Sequence, residues 1–399
     1  MAESTRLVDL VQADIDSFLD DREPRLLDIT PDLAPFIDFS RDLLRGGKRF
    51  RAQFCYWGWQ AVSGTANGSA SGTASDSTTD STGQPAAVAG TDLAGSNSDL
   101  AGSSSDLPSI VLAASALEVF HAAALVHDDI MDNSDTRRGL PSTHRRFESM
   151  HSRDAWAGSG RTFGQSAALL LGDLLLGWSD ELFDEATRGI TDPSARTSAR
   201  EEFNRMRTEV TLGQYLDILE ERSWPEYTQP EQLERAHRVI VYKSAKYSIE
   251  APLAIGASLA GADAEQLLAL KGFGLPLGIA YQLRDDVLGV FGDPLVTGKP
   301  AGDDLREGKR TVIVALARTS LDDDARAHLD GLLGDPTLTD GQVSALQQSI
   351  LDSGAVDQVE RIIDQNVGIA LKALVDSPIS TDARARLEAM AETVTKRSA

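Results

Sequence analysis

"SIVLAASALEVFHAAALVHDDIMDNSDTRRG", Ser109–Gly139, joins an apolar run to three carboxylates and then to two arginines. Apolar residues dominate from Ile110 to Val126 with no polar face, which predicts a helix buried all round. Asp128, Asp129 and Asp132 close it. A helix C-terminus carries partial negative charge and favours cations, so these carboxylates oppose both the dipole and one another. Positive charge must reach them from outside the helix.

The pattern recurs once. "LGIAYQLRDDVLGVFGDP" is a second apolar helix whose far end carries Asp285 and Asp286, with Asp293 following. Either pair alone reads as a solvated helix end. Two such ends on the most apolar helices read better as one shared cavity, where clustered carboxylates either protonate or bind divalent cations. Hard oxygen donors without Cys or clustered His point to magnesium. Asp128 and Asp132, at i and i+4, share a helix face and can chelate together.

Helical spacing extends outward from these two segments. "IDFSRDLLRGG" predicts a helix ending at Gly46-Gly47. "GQSAALLLGDLLLGWSDELFDEA", "EEFNRMRTEVTLGQYLDILEE", "PEQLERAHRVIVYKSAKYSIEAPLAIGASLA" and the tail beyond residue 340 share the three-to-four residue period. No alternating strand stands out, so the fold class is all-α. Residues 62–108 depart from the rest. They contain no Lys, Arg, His or aromatic residue and are rich in Gly, Ser, Thr and Ala. Too little apolar area is available there to offset ordering, which predicts a flexible insertion inside a single domain spanning 1–399.

Composition narrows the class. The formal charge of −23, from 38 basic and 61 acidic residues, argues against nucleic acid or anionic membrane as main partner. The single cysteine, Cys55, excludes an internal disulfide framework and fits a reducing cytoplasm. The acidic N-terminus lacks the apolar core of a signal peptide. No uninterrupted apolar stretch approaches the roughly 18 residues of a membrane span, so stable membrane insertion is not expected. Basic residues fall beside glycine turns and acidic motifs: Lys48, Arg49 and Arg51 in "GGKRFR", Arg137 and Arg138 in "TRRG", Lys243 in "VYKSAKY", and Lys299 and Lys309 in "VTGKPAGDDLREGKRT". As a set they suit diphosphate oxygens.

In this order, "GGKRFR", "HDDIMDNSDTRRG", "GQYLD", "YKSA", "YQLRDDVLGVFGDP" and "TGKPAGDDLREGK" resemble the trans-isoprenyl diphosphate synthases, the family of geranylgeranyl and farnesyl diphosphate synthases. The resemblance runs from about Ile37 to Thr311. It implies one large helical bundle of the isoprenoid synthase type with a central cavity, working as a homodimer. It implies that Asp128, Asp132 and Asp285 bind three magnesium ions, with manganese able to substitute, on the diphosphate of an allylic substrate. Asp129 and Asp286 complete the two acidic motifs, and Arg137, Lys243 and Lys299 hold the same diphosphate. Lys48, Arg51, His121 and Arg138 would bind isopentenyl diphosphate. Gln214, Asp217 and Gln282 line the cavity by the same analogy, Ser244 stands beside the lysine, and Lys309 joins the cations. One departure is visible: the second motif usually reads DDxxD, but its fifth position here is Gly289.

The implied reaction condenses isopentenyl diphosphate with dimethylallyl, geranyl or farnesyl diphosphate. No Ser-His-Asp set, nucleotide-binding glycine loop or reactive Cys suggests covalent catalysis. Product length is read from the helix before Asp128. Ala124 and Ala123 lie four and five residues earlier, about 6–7.5 Å along the wall, and Phe120 lies about 12 Å along it. An open level at the alanines with a floor at Phe120 points to C20 geranylgeranyl diphosphate. Farnesyl or longer products remain alternatives, as do a class I terpene cyclase, a non-catalytic subunit of a heteromeric synthase and a polyprenyl diphosphate phosphatase.

Overall fold

The computed structural model describes residues 2–69, 107–292 and 301–395. Helices α1 (Ala2–Ile29), α2 (Ala34–Leu44), α3 (Phe50–Ser69) and α4 (Leu107–Met131) come first. After a short hairpin, α5 (Thr143–Arg153), α6 (Gly160–Arg188), α7 (Pro193–Ser223) and α8 (Gln229–Val239) follow. Then α8 runs through a π-helical stretch, Ile240–Glu250, into α9 (Ala251–Leu259), and α10 spans Ala264–Phe291. Beyond it stand α11 (Asp303–Glu307), α12 (Val312–Ser320), α13 (Asp323–Leu332), α14 (Asp340–Asp352), α15 (Ala355–Leu374) and α16 (Thr381–Thr395).

Local chemistry starts the long helices. Asp192 caps α7 by accepting from Ser194 N at 2.9 Å, with Pro193 in the first turn. Asp263 and Gln266 form a reciprocal capping box on α10. The all-round apolar pattern of α4 has the expected outcome: α4 packs chiefly on α6, and also on α3 and α1. It is nonetheless the one helix among the described residues long and apolar enough to cross a membrane, and 78% of that window is buried inside the protein. The sequence expectation demanded an uninterrupted run, whereas Glu118 and His121 only dilute this one.

Two apolar cores result. One gathers α1 to α7 and α9 around Phe54, Leu117, Leu171 and Phe203. The other gathers α8, the end of α10 and α12 to α15 around Leu283, Ile313 and Leu346. Arg284, within the second acidic motif, anchors α10 to α15 by donating to both Glu360 oxygens at 2.5 and 2.6 Å.

Two local features differ from the sequence reading. The helix α3 extends through Ser69, so Val62 to Ser69 and Leu107 to Pro108 are helical rather than part of an insertion. The start of α16 docks there, with Ser380 N donating to Ala61 O at 2.9 Å. The remainder, 70–106, lies outside the described residues. A two-residue antiparallel pair, β1 (Thr136–Arg137) and β2 (Leu140–Pro141), also appears. It leaves the fold class all-α.

Candidate active site

That hairpin is the first element of the site. Its loop is Arg138-Gly139, with φ of 53° and 76°, the double positive φ of a tight primed turn. Gly139 adopts this freely and Arg138 at some backbone cost. The turn folds Arg137 back under α4. Its Nε donates to Asp129 Oδ1 at 2.9 Å, its Nη2 bonds the same oxygen, and Nη2 also reaches Asp128 Oδ2 at 3.4 Å. Asp129 is 1% exposed and absent from the cavity lining. Its place is beneath Arg137, which it anchors; Asp132 is also absent from the lining and reaches the cavity through its pair with Lys309. One residue turns a helix by about 100°, and here that step carries Asp129 away from the cavity and onto Arg137.

The cavity has a volume of about 770 Å³. Asp128 lines it, accepting from Gln214 Nε2 at 3.1 Å and Lys243 Nζ at 3.3 Å. Lys243 also pairs with Asp217. These contacts depend on a close helix approach at Gly213, where an added Cβ would lie 2.3 Å from the Lys243 nitrogen. Asp132 pairs with Lys309 at 3.2 Å, and Lys309 with Glu307 at 2.9 Å. Burial alone would raise the Asp128 pKa, but Lys243, Lys309 and Arg137 hold it well below the usual carboxylate range. Burial likewise opposes the charge on Lys309, but Asp132, Asp304 and Glu307 raise its pKa well above the ordinary value.

From α10, Asp285 and Asp286 reach the same cavity, with Gln282 Nε2 donating to Asp286 Oδ1 at 2.8 Å. Burial pushes Asp286 up to about 8 despite Gln282, with Asp304 and Asp285 adding to the shift. Every donor in this group is a hard oxygen, the chemistry of a small divalent cation. Among the described residues, no three metal-binding side chains form a ready cage. Magnesium needs none, since it takes one or two carboxylates and completes its shell with water and phosphate oxygens.

A second basic group lies on the same cavity: Lys48, Arg51, Arg138 and His121. Arg51 Nη2 donates to Ser248 Oγ at 2.9 Å, and its guanidinium lies 4.3 Å from the Tyr247 ring centroid. His121 Nδ1 is 3.1 Å from the Tyr247 hydroxyl. Burial, with Arg51 and Arg138, lowers the His121 pKa well below 6.5, which leaves a neutral imidazole at neutral pH. Arg49 of the same motif turns inward to Leu44 O at 2.7 Å and Glu118 at 3.6 Å.

Of the residues expected from sequence, Ser244 also lines the cavity, while Lys299 and Asp293 lie outside the described residues. Of the chain-length trio, only Ala124 lines it. At 100° per residue, Ala124 and His121, four and seven before Asp128, stay near its face, whereas Ala123 and Phe120 rotate away. Both are buried, and Phe120 packs at 5.8 Å against Tyr247, which does line the cavity. Sequence reasoning missed Tyr247, Tyr281, Asp303 and Asp304. The signal for Tyr247 was its position one helical turn past Lys243.

The profile of the polyprenyl synthetase family matches residues 36–350. A crystal structure of geranylgeranyl pyrophosphate synthase from Corynebacterium glutamicum, complexed with isoprenyl diphosphate and magnesium, superposes with a TM-score of 0.83 at 35% identity, covering 98% of this chain and 99% of that one. A short chain isoprenyl diphosphate synthase of Methanocaldococcus jannaschii is 34% identical over 59% of this chain and 63% of its own length. A geranylfarnesyl diphosphate synthase of Aeropyrum pernix is 33% identical over 63% of this chain and 71% of its own.

Proposed function

Because the chain belongs to the polyprenyl synthetase family, we propose that it condenses isopentenyl diphosphate with an allylic diphosphate to give geranylgeranyl diphosphate. The observation that carries this reading is one cavity lined by Lys48, Arg51, Arg137, Arg138, Lys243 and Lys309, more cations than a single diphosphate needs. Lys243, Lys309 and Arg137, set among Asp128, Asp132 and Asp285, suit a diphosphate that leaves. Lys48, Arg51, Arg138 and neutral His121 suit one that stays. A cyclase ionises a single diphosphate and has no use for the second group. A non-catalytic subunit has no use for an intact first motif.

The allylic C–O bond breaks, and its electron pair goes to the departing diphosphate. Lys243 and Arg137 stabilise the charge that develops there. Asp128, Asp132 and Asp285 would hold magnesium, which supplies further positive charge to the same oxygens. The allylic cation is shielded from water by the apolar walls at Ala124, Leu125 and Val210. The isopentenyl double bond then forms the new C–C bond, and the proton released goes to the diphosphate already present.

Product length rests on Ala124, small at the level where a bulky side chain would close the wall. The A. pernix relative, named a geranylfarnesyl diphosphate synthase, keeps a longer product as the alternative. Leu169 and Leu170 on α6 and Leu212 and Tyr215 on α7, each about half exposed, support a homodimer, and the lone buried Cys55 supports a cytoplasmic setting. Incubation with labelled isopentenyl diphosphate, magnesium and each allylic primer, followed by chromatography, is expected to give C20 as the main product. No incorporation with any primer would refute the activity, and a dominant C15 or C25 product would refute the length.

A further inference from the structure

The missing fifth aspartate of the second motif has a structural counterpart. A Cβ added at Gly289 would lie 2.0 Å from Asp304 Oδ2 and 2.5 Å from its Cγ, so a side chain there would overlap that carboxylate. Asp304 belongs to α11, which is entered at Gly302 with φ 71° and is pinned to the second core by Leu305, fully buried. Lys309 N and Gly308 N both donate to Asp304 O, at 3.0 and 3.1 Å, which fixes the backbone behind it. Asp285, Asp286, Gly289 and Asp304 all line the one cavity. A carboxylate thus occupies the volume where a side chain at 289 would start, though it comes from another helix.

We propose that Asp304 supplies, from α11, the third carboxylate that position 289 lacks in the second acidic group, and that Gly289 is the residue that admits it. This rests on the divalent-cation reading above. Asp304 acts toward the cation held at Asp285, directly or through the water that magnesium retains. Asp304 also offsets the charge of Lys309, so losing its charge weakens binding of a nearby cation by electrostatics alone; returning a carboxylate from position 289 to the same volume is what separates the two roles.

The test measures manganese binding by calorimetry in the presence of inorganic diphosphate, with circular dichroism confirming fold. Asp304→Asn keeps the shape and removes the charge, and it is expected to weaken binding roughly ten- to a hundred-fold. Gly289→Asp alone places two carboxylates in one volume and is expected to destabilise the protein. Gly289→Asp combined with Asp304→Ala returns one carboxylate to that volume and is expected to recover most of the lost affinity. Unchanged affinity in folded Asp304→Asn overturns the inference. So does failure of the combined variant to exceed Asp304→Ala. If the wild-type chain itself binds no manganese with diphosphate, the divalent-cation reading falls, and the inference falls with it.

Discussion

Gly213→Ala adds one methyl group where α7 crosses the π-helical stretch. Its Cβ would stand 2.3 Å from Lys243 N, 2.4 Å from Tyr242 C and 2.7 Å from Lys243 Cα, all backbone atoms. Ordinary contact begins near 3.4 Å, so the helices must separate by about 1 Å. Overpacking of this kind costs about 1–3 kcal/mol, partly offset by roughly 0.5–1 kcal/mol because Ala favours helix over Gly. The larger effect is on the site. Gln214 and Asp217 sit on the displaced helix, and they bond Asp128 and Lys243. A misplacement of about 1 Å in a positioned group can cost on the order of a hundred-fold in rate. The expected result is a folded protein, melting a few degrees lower, with kcat reduced far beyond that modest loss of stability. Gly368→Ala in α15, with no atom within 4 Å of the added group, serves as the control and should be neutral or stabilising. Steady-state kinetics with isopentenyl and farnesyl diphosphates, together with thermal unfolding, check both variants. Wild-type kcat in Gly213→Ala would refute the claim that this helix approach sets the geometry around Lys243.

Asp128→Ala removes the acid that Lys243, Gln214 and Arg137 converge on, and turnover should fall by several orders of magnitude; single-turnover kinetics near the wild-type rate would contradict its role. Burial, with Asp217 and Asp132 nearby, pushes Glu221 up to about 7 in the folded chain, against 4.5 when unfolded. The folded state then binds the proton more tightly, so this group's contribution is complete below pH 4.5 and is lost as pH rises through 7. Glu221→Gln should raise the urea midpoint at pH 8 relative to wild type and change it less at pH 5; the reverse order would show that the carboxylate is held in its charged form. Ala124→Phe should shorten the main product to C15 by chromatography, whereas Ala123→Phe, at a fully buried position outside the lining, should chiefly lower stability.

The fold was legible because periodicity survives translation into packing. The helix before Asp128 reads as buried all round, and it is. The paired carboxylates on two apolar helices predicted a shared cavity, and Asp128, Asp285 and Asp286 do line one. What stayed hidden was direction. Nothing in "DDIMD" separates Asp128, facing the cavity, from Asp129, facing Arg137. That division follows from helical rotation together with a turn whose positive φ at Arg138 no composition announces. The same rotation explains why the alanine pair before Asp128 divides, one into the cavity and one into the core. Asp304 was invisible for another reason: its overlap with position 289 joins residues fifteen apart through a helix crossing, and sequence spacing carries no information about such an encounter.

The pairs Lys243–Asp128 and Lys309–Asp132 carry a thermodynamic consequence for how the protein fills. Each acid already has a cation, and each base already has an anion. A divalent ion arriving alone must break these pairs, and it leaves Lys243 only Asp217, and Lys309 only Glu307 and Asp304, to offset its buried charge. A diphosphate arriving alone draws the lysines away, which leaves Asp128 with Arg137 and Gln214 and takes from Asp132 the lysine it pairs with. Arriving together, the two visitors exchange partners with the resident pairs, carboxylate to metal and lysine to phosphate, and no buried charge is orphaned. Affinity for either should therefore rise steeply with occupancy by the other, and by the same factor in both directions. On the proposed reading, a diphosphate and a divalent ion favour each other's entry, and metal alone binds more weakly than metal with diphosphate.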